Sequence, residues 1–174
     1  MANSTSFTTS GSGLLNVLIN NCGVAQAFDI TNGGVTPAGP TAEFQAIWDT
    51  GATNSVINQR VVDACGLVPI GMTMVNGVGG QHAQEVFLVS IFLPNKATFP
   101  TLRVTKGELG NVDLLIGMDI IGSGDFAVTN HNGITKFSFR CPSTKHIDFV
   151  AEHNNALNPQ RFAHGPGKRK KRNR

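Results

Sequence analysis

The residues best placed by type and spacing to do chemistry surround a single carboxylate, Asp49. The chain around it has the sequence A-I-W-D-T-G-A-T-N-S, in which an apolar strand ends at the aspartate. Gly51 would let the backbone turn sharply behind that carboxylate. An aspartate at a strand end is commonly a turn former that bonds to its own backbone, and this remains an open interpretation. The alternative is a presented acid or base that moves a proton during hydrolysis.

The other chemically capable residues form no recognisable site. None of the five histidines has the spacing of a zinc-binding His-Glu-x-x-His helix, so we predict no metal. Gly77 and Gly79 lack the third glycine of a dinucleotide fingerprint, and no Gly-Lys-Ser or Gly-Lys-Thr occurs. We therefore predict no cofactor. The three cysteines, at Cys22, Cys65 and Cys141, show neither metal-ligand spacing nor an even number for disulfide pairing.

Two further segments have distinctive patterns. The chain from Asp113 to Ile121 has the sequence D-L-L-I-G-M-D-I-I, in which Leu115, Ile116 and Gly117 look like the end of a buried strand. A glycine-rich tip precedes an alternating strand farther upstream and is typical of a hairpin turn. The residues of this tip are Val75, Asn76, Gly77, Val78, Gly79 and Gly80.

Together these three segments resemble the retropepsin-like aspartic proteases, which include the retroviral enzymes and single-lobed relatives. The resemblance extends over roughly residues 14–149. It implies that Asp49 is the catalytic aspartate and that Thr50, Gly51 and Ala52 support the active-site loop, with Thr50 bonding across to a second such loop. It also implies that residues 115–117 pack behind the loop and that residues 75–80 form a flap over bound peptide.

One position departs from the retroviral pattern. Where retroviral enzymes commonly carry arginine after the glycine of the second motif, this chain has Met118. An ion pair that helps to tie the retroviral dimer together is therefore expected to be absent. Asp119 is not expected to be a second catalytic residue.

A single Asp-Thr-Gly implies a homodimer. Hydrolysis without a metal or a covalent nucleophile needs one group to take a proton from water and another to donate one, and two carboxylates sharing a proton do both. The chain has one Asp-Thr-Gly and about half the length of bilobal enzymes such as pepsin. We therefore predict an endopeptidase with Asp49 facing the partner's Asp49 and acting on peptide or protein substrates. A non-catalytic dimeric peptide-binding or assembly module of the same fold is the alternative.

Short β-branched or alternating segments between glycines and prolines predict a mainly β fold, a small closed barrel-like structure with one or two short helices. Asn58–Cys65 is predicted to be helical, with Val61, Val62 and Cys65 on one face and Gly66 at its end. The Asn-Gly pair at Asn132 and Gly133 predicts a closing hairpin.

The chain divides by composition into three parts. We expect a flexible Ser/Thr/Gly-rich N-terminus at 1–13, the protease domain at 14–150, and an extension with a solvated basic tail at 151–174. Residues 1–160 carry 7 basic and 11 acidic residues, a net charge of −4, and the other 7 basic residues follow. Nucleic-acid binding through Lys168–Arg174 is the less favoured alternative to a solvated tail. No signal peptide and no membrane span are predicted, and a reducing cytoplasmic location is expected.

Overall fold

The computed structural model describes residues 4–28, 39–77 and 80–157. The protein is mainly β with a few short helices, which confirms the predicted class. Its contacts divide it into two units, residues 1–144 and residues 145–174. None of the helices in the described ranges is long and apolar enough to cross a membrane.

The described residues of the first unit form ten strands and two α-helices. The strands are β1 Thr5–Ser10, β2 Ile19–Gln26, β3 Ala42–Trp48, β4 Val56–Ile57, β5 Gly71–Gly77, β6 Gly80–Phe92, β7 Thr98–Lys106, β8 Leu114–Ile116, β9 Asp125–Thr129 and β10 Lys136–Cys141. The helices are α1 Gln59–Cys65 and α2 Met118–Ile121, and a 3₁₀ turn covers His131–Gly133.

Six strands close into a ring, as the sequence predicted. Their order is β2-β3-β8-β4-β7-β6, and β2 also pairs with β6. The 13-residue β6 makes closure possible, because its second half pairs with β2 while its first half pairs with β5. Strand β5 therefore lies outside the ring as an added edge strand. Closure leaves the ring strands with hydrogen-bonded neighbours on both sides.

Large apolar side chains fill the interior of this ring. Successive residues of a strand point to opposite faces, so alternate positions are buried. The side chains that are essentially inaccessible to solvent include Val24, Ile57, Phe87, Val89, Ile91, Val104, Leu114 and Ile116. They come from five of the strands, and their burial is the main apolar contribution to the stability of the fold.

A second, three-stranded sheet has the order β1-β10-β9. Residues 5–10, expected to belong to a flexible segment, instead form β1 and pair along their whole length with β10. The physical reason is Phe7, whose ring lies 5.9 Å from that of Phe137 and 5.8 Å from that of Trp48. Serine and threonine on the other positions are compatible with a strand. Residues 5–10 therefore belong to a sheet, in contrast to the flexible segment that the composition suggested.

Two local predictions agree with the structure. Asn58 caps α1 by accepting a hydrogen bond from the Val61 N–H at 3.1 Å, and Gly66 ends the helix with a φ of 60°. Strands β9 and β10 form the predicted hairpin. Asn132 and Gly133 both have positive φ, at 52° and 71°, although the connection is longer than a two-residue turn.

The second unit contains one described helix, α3 Phe149–Leu157. Asp148 precedes it and accepts a hydrogen bond from the Ala151 N–H at 2.9 Å. The helix crosses the predicted boundary at 150/151, because this cap places the helix start before that point. The predicted basic tail, Lys168–Arg174, lies outside the described residues.

Candidate active site

Asp49 follows the last residue of β3, at the point where three strands meet. β3 runs parallel to β8, and β8 runs antiparallel to β4. The loop from Asp49 to Ser55 connects β3 to β4 and therefore crosses the end of β8. A backbone hydrogen bond holds the start of this loop, because the Asp49 N–H donates to the Ile116 carbonyl at 3.0 Å. The aspartate is half-buried, and its position is set by backbone bonds of the sheet.

The loop turns back toward the Asp49 carboxylate. The Gly51 N–H donates to Asp49 Oδ1 at 2.8 Å, and the Ala52 N–H donates to the Asp49 carbonyl at 3.3 Å. Gly51 lies in a turn, as expected, although its φ is not positive. A Cβ at Gly51 would lie 3.1 Å from Asp49 Oδ1, a tight contact. The glycine favours close approach of the carboxylate to the loop backbone.

The second motif packs directly beneath this loop. The Met118 N–H donates to the Ala52 carbonyl at 2.8 Å, and the Asp119 N–H donates to the Thr53 carbonyl at 3.2 Å. A Cβ on Gly117 would lie 2.6 Å from the carbonyl carbon of Asn54 and 2.7 Å from its oxygen. Only a residue without a side chain fits there. Gly117 is thus in contact with the loop that the sequence analysis expected it to support.

Ser55 and Asp119 join the two segments through side chains. The Ser55 hydroxyl donates to Asp119 Oδ1 at 2.8 Å, and the Ser55 N–H donates to Asp119 Oδ2 at 2.8 Å. The same hydroxyl accepts from the Gly117 N–H at 3.1 Å. Sequence analysis did not identify Ser55 as part of the site. The only available signal was a small hydroxyl residue in the loop, which is common in turns.

Trp48, immediately before Asp49, anchors the loop to the three-stranded sheet. Its ring stacks on Phe126 at 5.6 Å and 6° and lies 5.1 Å from Phe139. Its indole N–H donates to the side-chain oxygen of Asn20. Because the buried ring has its polar atom satisfied, it contributes packing without a desolvation penalty. The residue that precedes the candidate catalytic carboxylate is therefore fixed on several sides.

A buried carboxylate fixes the other end of β8. Asp113 accepts hydrogen bonds from Arg60 Nη1 at 2.9 Å and from Asn58 Nδ2 at 3.1 Å. Arg60 also lies 5.9 Å above the ring of Phe44. These contacts tie the start of α1 to the start of β8. They are consistent with a structural role for Asp113.

A cleft lies between the Asp49 loop and strand β5. Its volume is about 390 Å³, within the range of roughly 300–1,000 Å³ that small-molecule sites occupy. Its lining residues are Gly51, Ala52, Thr53, Asn54, Val56, Thr73, Met74, Val75, Asn76 and Thr105. Of the predicted flap residues, Val75 and Asn76 line this cleft. Gly77 and Gly80 are opposite each other in the β5–β6 ladder, and Val78 and Gly79 lie outside the described residues.

Three titratable groups of the scaffold have displaced pKa values. Burial raises the pKa of the Cys22 thiol to about 12, with a smaller contribution from Glu43. Burial also raises the pKa of Cys65, which belongs to the core. Hydrogen bonds from Ser143, Thr144 and Arg140 hold the pKa of Asp125 well below its ordinary value. Within the described ranges, no group of three or more His, Cys, Asp or Glu side chains could hold a metal ion.

Comparisons with solved structures return distant likenesses. A retropepsin-like aspartic protease from Rickettsia conorii is 10% identical, with 81% of this chain and 98% of that chain covered and a TM-score of 0.44. The retroviral protease-like domain of Ddi1 from Leishmania major is 21% identical, with coverages of 71% and 95% and a TM-score of 0.42. The foamy viral protease-reverse transcriptase is 20% identical over 46% of this chain, with a TM-score of 0.38, and the match spans only 10% of that larger protein.

The sequence itself matches a family model. No curated protein matches the chain. Residues 39–123, however, match the model described as "gag-polyprotein putative aspartyl protease". This region contains the Asp49 loop, the strands that line the cleft and the Gly117 segment beneath the loop. Residues 39–123 therefore belong to the family of retropepsin-like aspartyl proteases.

Proposed function

We propose that the protein is an aspartic endopeptidase that hydrolyses peptide bonds as a homodimer. The observation that carries this proposal is the position of the half-buried Asp49. It follows the last residue of β3 and begins a loop whose later residues, 51–54, line the cleft beneath β5. A carboxylate used only as a turn former would not need a cleft beside it. Peptides are the proposed substrates, and the cytoplasm is the proposed location.

The homodimer is required by the chemistry of one carboxylate per chain. Asp119 belongs to the segment that contacts the Asp49 loop, but its oxygens accept three hydrogen bonds within the scaffold. The second carboxylate therefore comes from another copy. Two carboxylates about 3 Å apart cannot both ionise cheaply, so they hold one proton between them. A two-fold axis beside Asp49 supplies this pair.

In the proposed mechanism, the pair holds one water molecule. The ionised Asp49 takes a proton from this water, whose oxygen attacks the peptide carbonyl carbon, while the partner's Asp49 donates its proton to the carbonyl oxygen. The resulting tetrahedral intermediate collapses with cleavage of the C–N bond. The proton held by Asp49 passes to the leaving nitrogen, and a proton from the intermediate restores the pair.

The cleft suits an extended peptide. Strand β5 is an edge strand, and its Thr73, Met74 and Val75 line the cleft on the side opposite the Asp49 loop. An extended substrate can bond to backbone groups of such a strand while its side chains enter pockets. Val56 and Met74 give these pockets an apolar part. We therefore expect preference for apolar side chains in at least one substrate position.

The test compares the wild type with Asp49→Asn on a peptide mixture at pH 4 to 7, with dimers confirmed and products identified by mass spectrometry. We expect the variant to lose at least about 1,000-fold in rate, since general acid–base groups contribute roughly 10²–10⁴-fold. Asp63→Asn is the matched control, because its carboxylate is exposed on α1 and accepts a hydrogen bond from Gln59 of the same helix. It should cleave like the wild type.

A mixing experiment isolates the shared pair. Adding an equal amount of Asp49→Asn protein to a fixed amount of wild type should reduce cleavage to about half after subunit exchange, since random pairing consumes wild-type chains in mixed dimers. Cleavage that is unaffected by the added variant would exclude a pair shared between copies. A confirmed wild-type dimer that cleaves nothing would overturn the endopeptidase and favour a peptide-binding module.

A further inference from the structure

The large apolar side chains of helix α3 are exposed. Phe149 and Val150 are each 70% exposed, and Leu157 is 65% exposed. None of the nine side chains of this helix is buried. Single exposed apolar residues are ordinary on protein surfaces, but three large ones on one short helix form a concentrated apolar surface.

These three side chains lie on one side of the helix. At about 100° of rotation per residue, Phe149, Val150 and Leu157 fall within a sector of about 100° around the axis. Glu152 and Asn155 lie outside this sector. We call the three residues the apolar face of α3. An isolated helix shorter than about 12–15 residues is marginal in water, so a surface that covers this face would also stabilise the helix.

The unit that contains α3 also carries most of the positive charge of the chain. Residues 145–174 have 8 basic and 2 acidic residues, a net charge of +6, whereas residues 1–144 have 6 and 9, a net charge of −3. Six of the basic residues lie in Lys168–Arg174, which we call the basic cluster, and no acidic residue follows Glu152. This unit therefore attracts a negatively charged partner.

The apolar face and the basic cluster can reach the same surface. Ten residues, 158–167, separate them in the sequence, and ten residues span at most about 36 Å. A helix with one apolar side lies in the interface of a bilayer and buries that side at the boundary of the acyl chains. A cluster of four to eight basic residues beside such a helix binds anionic headgroups.

We propose that α3 and the basic cluster bind the surface of a membrane that contains anionic lipids. The apolar face of α3 enters the boundary of the acyl chains, and the basic cluster contacts the headgroups. The contact is peripheral, because none of the helices in the described ranges is long and apolar enough to cross a membrane. This proposal does not depend on the proposed function.

A nucleic acid is the competing partner for the basic cluster. Its phosphates would bind the basic side chains in a salt-dependent way, but they would leave the apolar side chains of Val150 and Leu157 in water. A bilayer surface offers anionic headgroups and an apolar layer together, so one partner accounts for both features.

The experiment measures sedimentation of the full chain with lipid vesicles, using the Asp49→Asn protein to prevent self-cleavage. Phosphatidylcholine vesicles are compared with vesicles that also contain about 30% phosphatidylserine. We expect at least about 100-fold tighter binding to the anionic vesicles, because each basic residue near such a surface adds to the attraction. Raising NaCl from 0.1 to 0.5 M should weaken this binding at least about tenfold.

Two matched variants test the apolar face. Val150→Asp should weaken binding to the anionic vesicles at least about tenfold, since a carboxylate replaces an apolar side chain at the bilayer boundary. Val150 lies in the first turn of α3, where an aspartate favours the helix, so loss of binding would not reflect loss of the helix. Val68→Asp is the control, because Val68 is 77% exposed in the other unit and the change in charge is the same. It should bind like the parent protein.

Four results would overturn the proposal. The first is equal binding to the neutral and the anionic vesicles, and the second is equal binding of the two aspartate variants. The third is tighter binding of a single-stranded DNA oligonucleotide than of the anionic vesicles, unaffected by Val150→Asp, which would identify a nucleic acid as the partner. The fourth is self-association of the chain that Val150→Asp abolishes while vesicle binding is unchanged, which would assign the apolar face to a second copy.

Discussion

Replacing Ser55 by alanine removes the side-chain bridge between the two active-site segments. The Ser55 side chain is fully buried, and its hydroxyl both donates to Asp119 and accepts from the Gly117 N–H. Loss of a hydrogen bond to a charged group costs about 1.5–3 kcal/mol, and a buried N–H left without its partner costs about 1–3 kcal/mol. Asp119 keeps the bond from the Ser55 N–H. We therefore expect a loss of about 3 kcal/mol, a large part of the roughly 5–15 kcal/mol that stabilises a domain.

Urea unfolding measures this loss. Both proteins carry Asp49→Asn and are compared at the same concentration, because dimerisation adds to apparent stability. The corresponding fall in Tm is about 6–12 °C. Ser138→Ala is the control, since its hydroxyl makes an exposed bond with that of Thr8, and it should change stability by no more than about 0.5 kcal/mol. A loss below about 1 kcal/mol for Ser55→Ala would refute the bridging role.

Three further predictions concern the scaffold. Gly117→Ala should cost at least about 2 kcal/mol in urea unfolding, because its Cβ would lie 2.6 Å from a backbone carbon. Asp125→Asn should destabilise the protein at neutral pH, because the contacts that lower the pKa of Asp125 stabilise the folded protein only while this carboxylate is ionised. The difference in stability from the wild type should therefore shrink as the pH falls below the ordinary carboxyl pKa of 3.8. Thiol labelling of the native protein should modify Cys141 first. Cys22 and Cys65 should react only on unfolding, because they are buried and their pKa values are raised.

For each of these three predictions, a specific result would contradict the reasoning. Gly13→Ala is the control for the glycine, because a Cβ there meets nothing within 4 Å; equal losses at both positions would contradict the packing argument. If the stability difference between Asp125→Asn and the wild type increases as the pH is lowered, the pKa of Asp125 is not lowered by folding. Labelling of all three thiols at one rate in the native protein would contradict the burial of Cys22 and Cys65.

Features with a local cause could be predicted from the sequence. The helix α1 has its signals within the chain segment itself, a capping Asn58 and a terminal Gly66. The hairpin at Asn132 and Gly133 depends on residues that accept positive φ. The end of β3 at Asp49 follows from an apolar run that stops at a polar residue and a glycine. In each case the controlling interactions lie within a few residues.

Features that depend on distant partners could not be predicted in this way. Strand β1 has a polar composition typical of a flexible segment, and what orders it is β10, more than 120 residues away in the chain. Phe7 gave the only local hint, and a single aromatic residue does not specify a strand. The close contact between Gly51 and the Asp49 carboxylate could not be predicted either, because the approach of a side chain to a backbone depends on the folded loop.

The two aspartates of the motifs show why contacts decide chemical roles. Asp49 and Asp119 both lie near a glycine just after an apolar strand, so local pattern alone treats them alike. In the structure, Asp119 receives N–H and hydroxyl donors from Ser55 and a further N–H from Ile120, which hold its carboxylate in place. Asp49 Oδ1 accepts the Gly51 N–H in a loop whose following residues line a cleft. A group that must exchange protons with water needs at least one oxygen that scaffold donors do not occupy. The difference in hydrogen bonding therefore indicates that Asp119 stabilises the loop, whereas Asp49 is the candidate general acid and base.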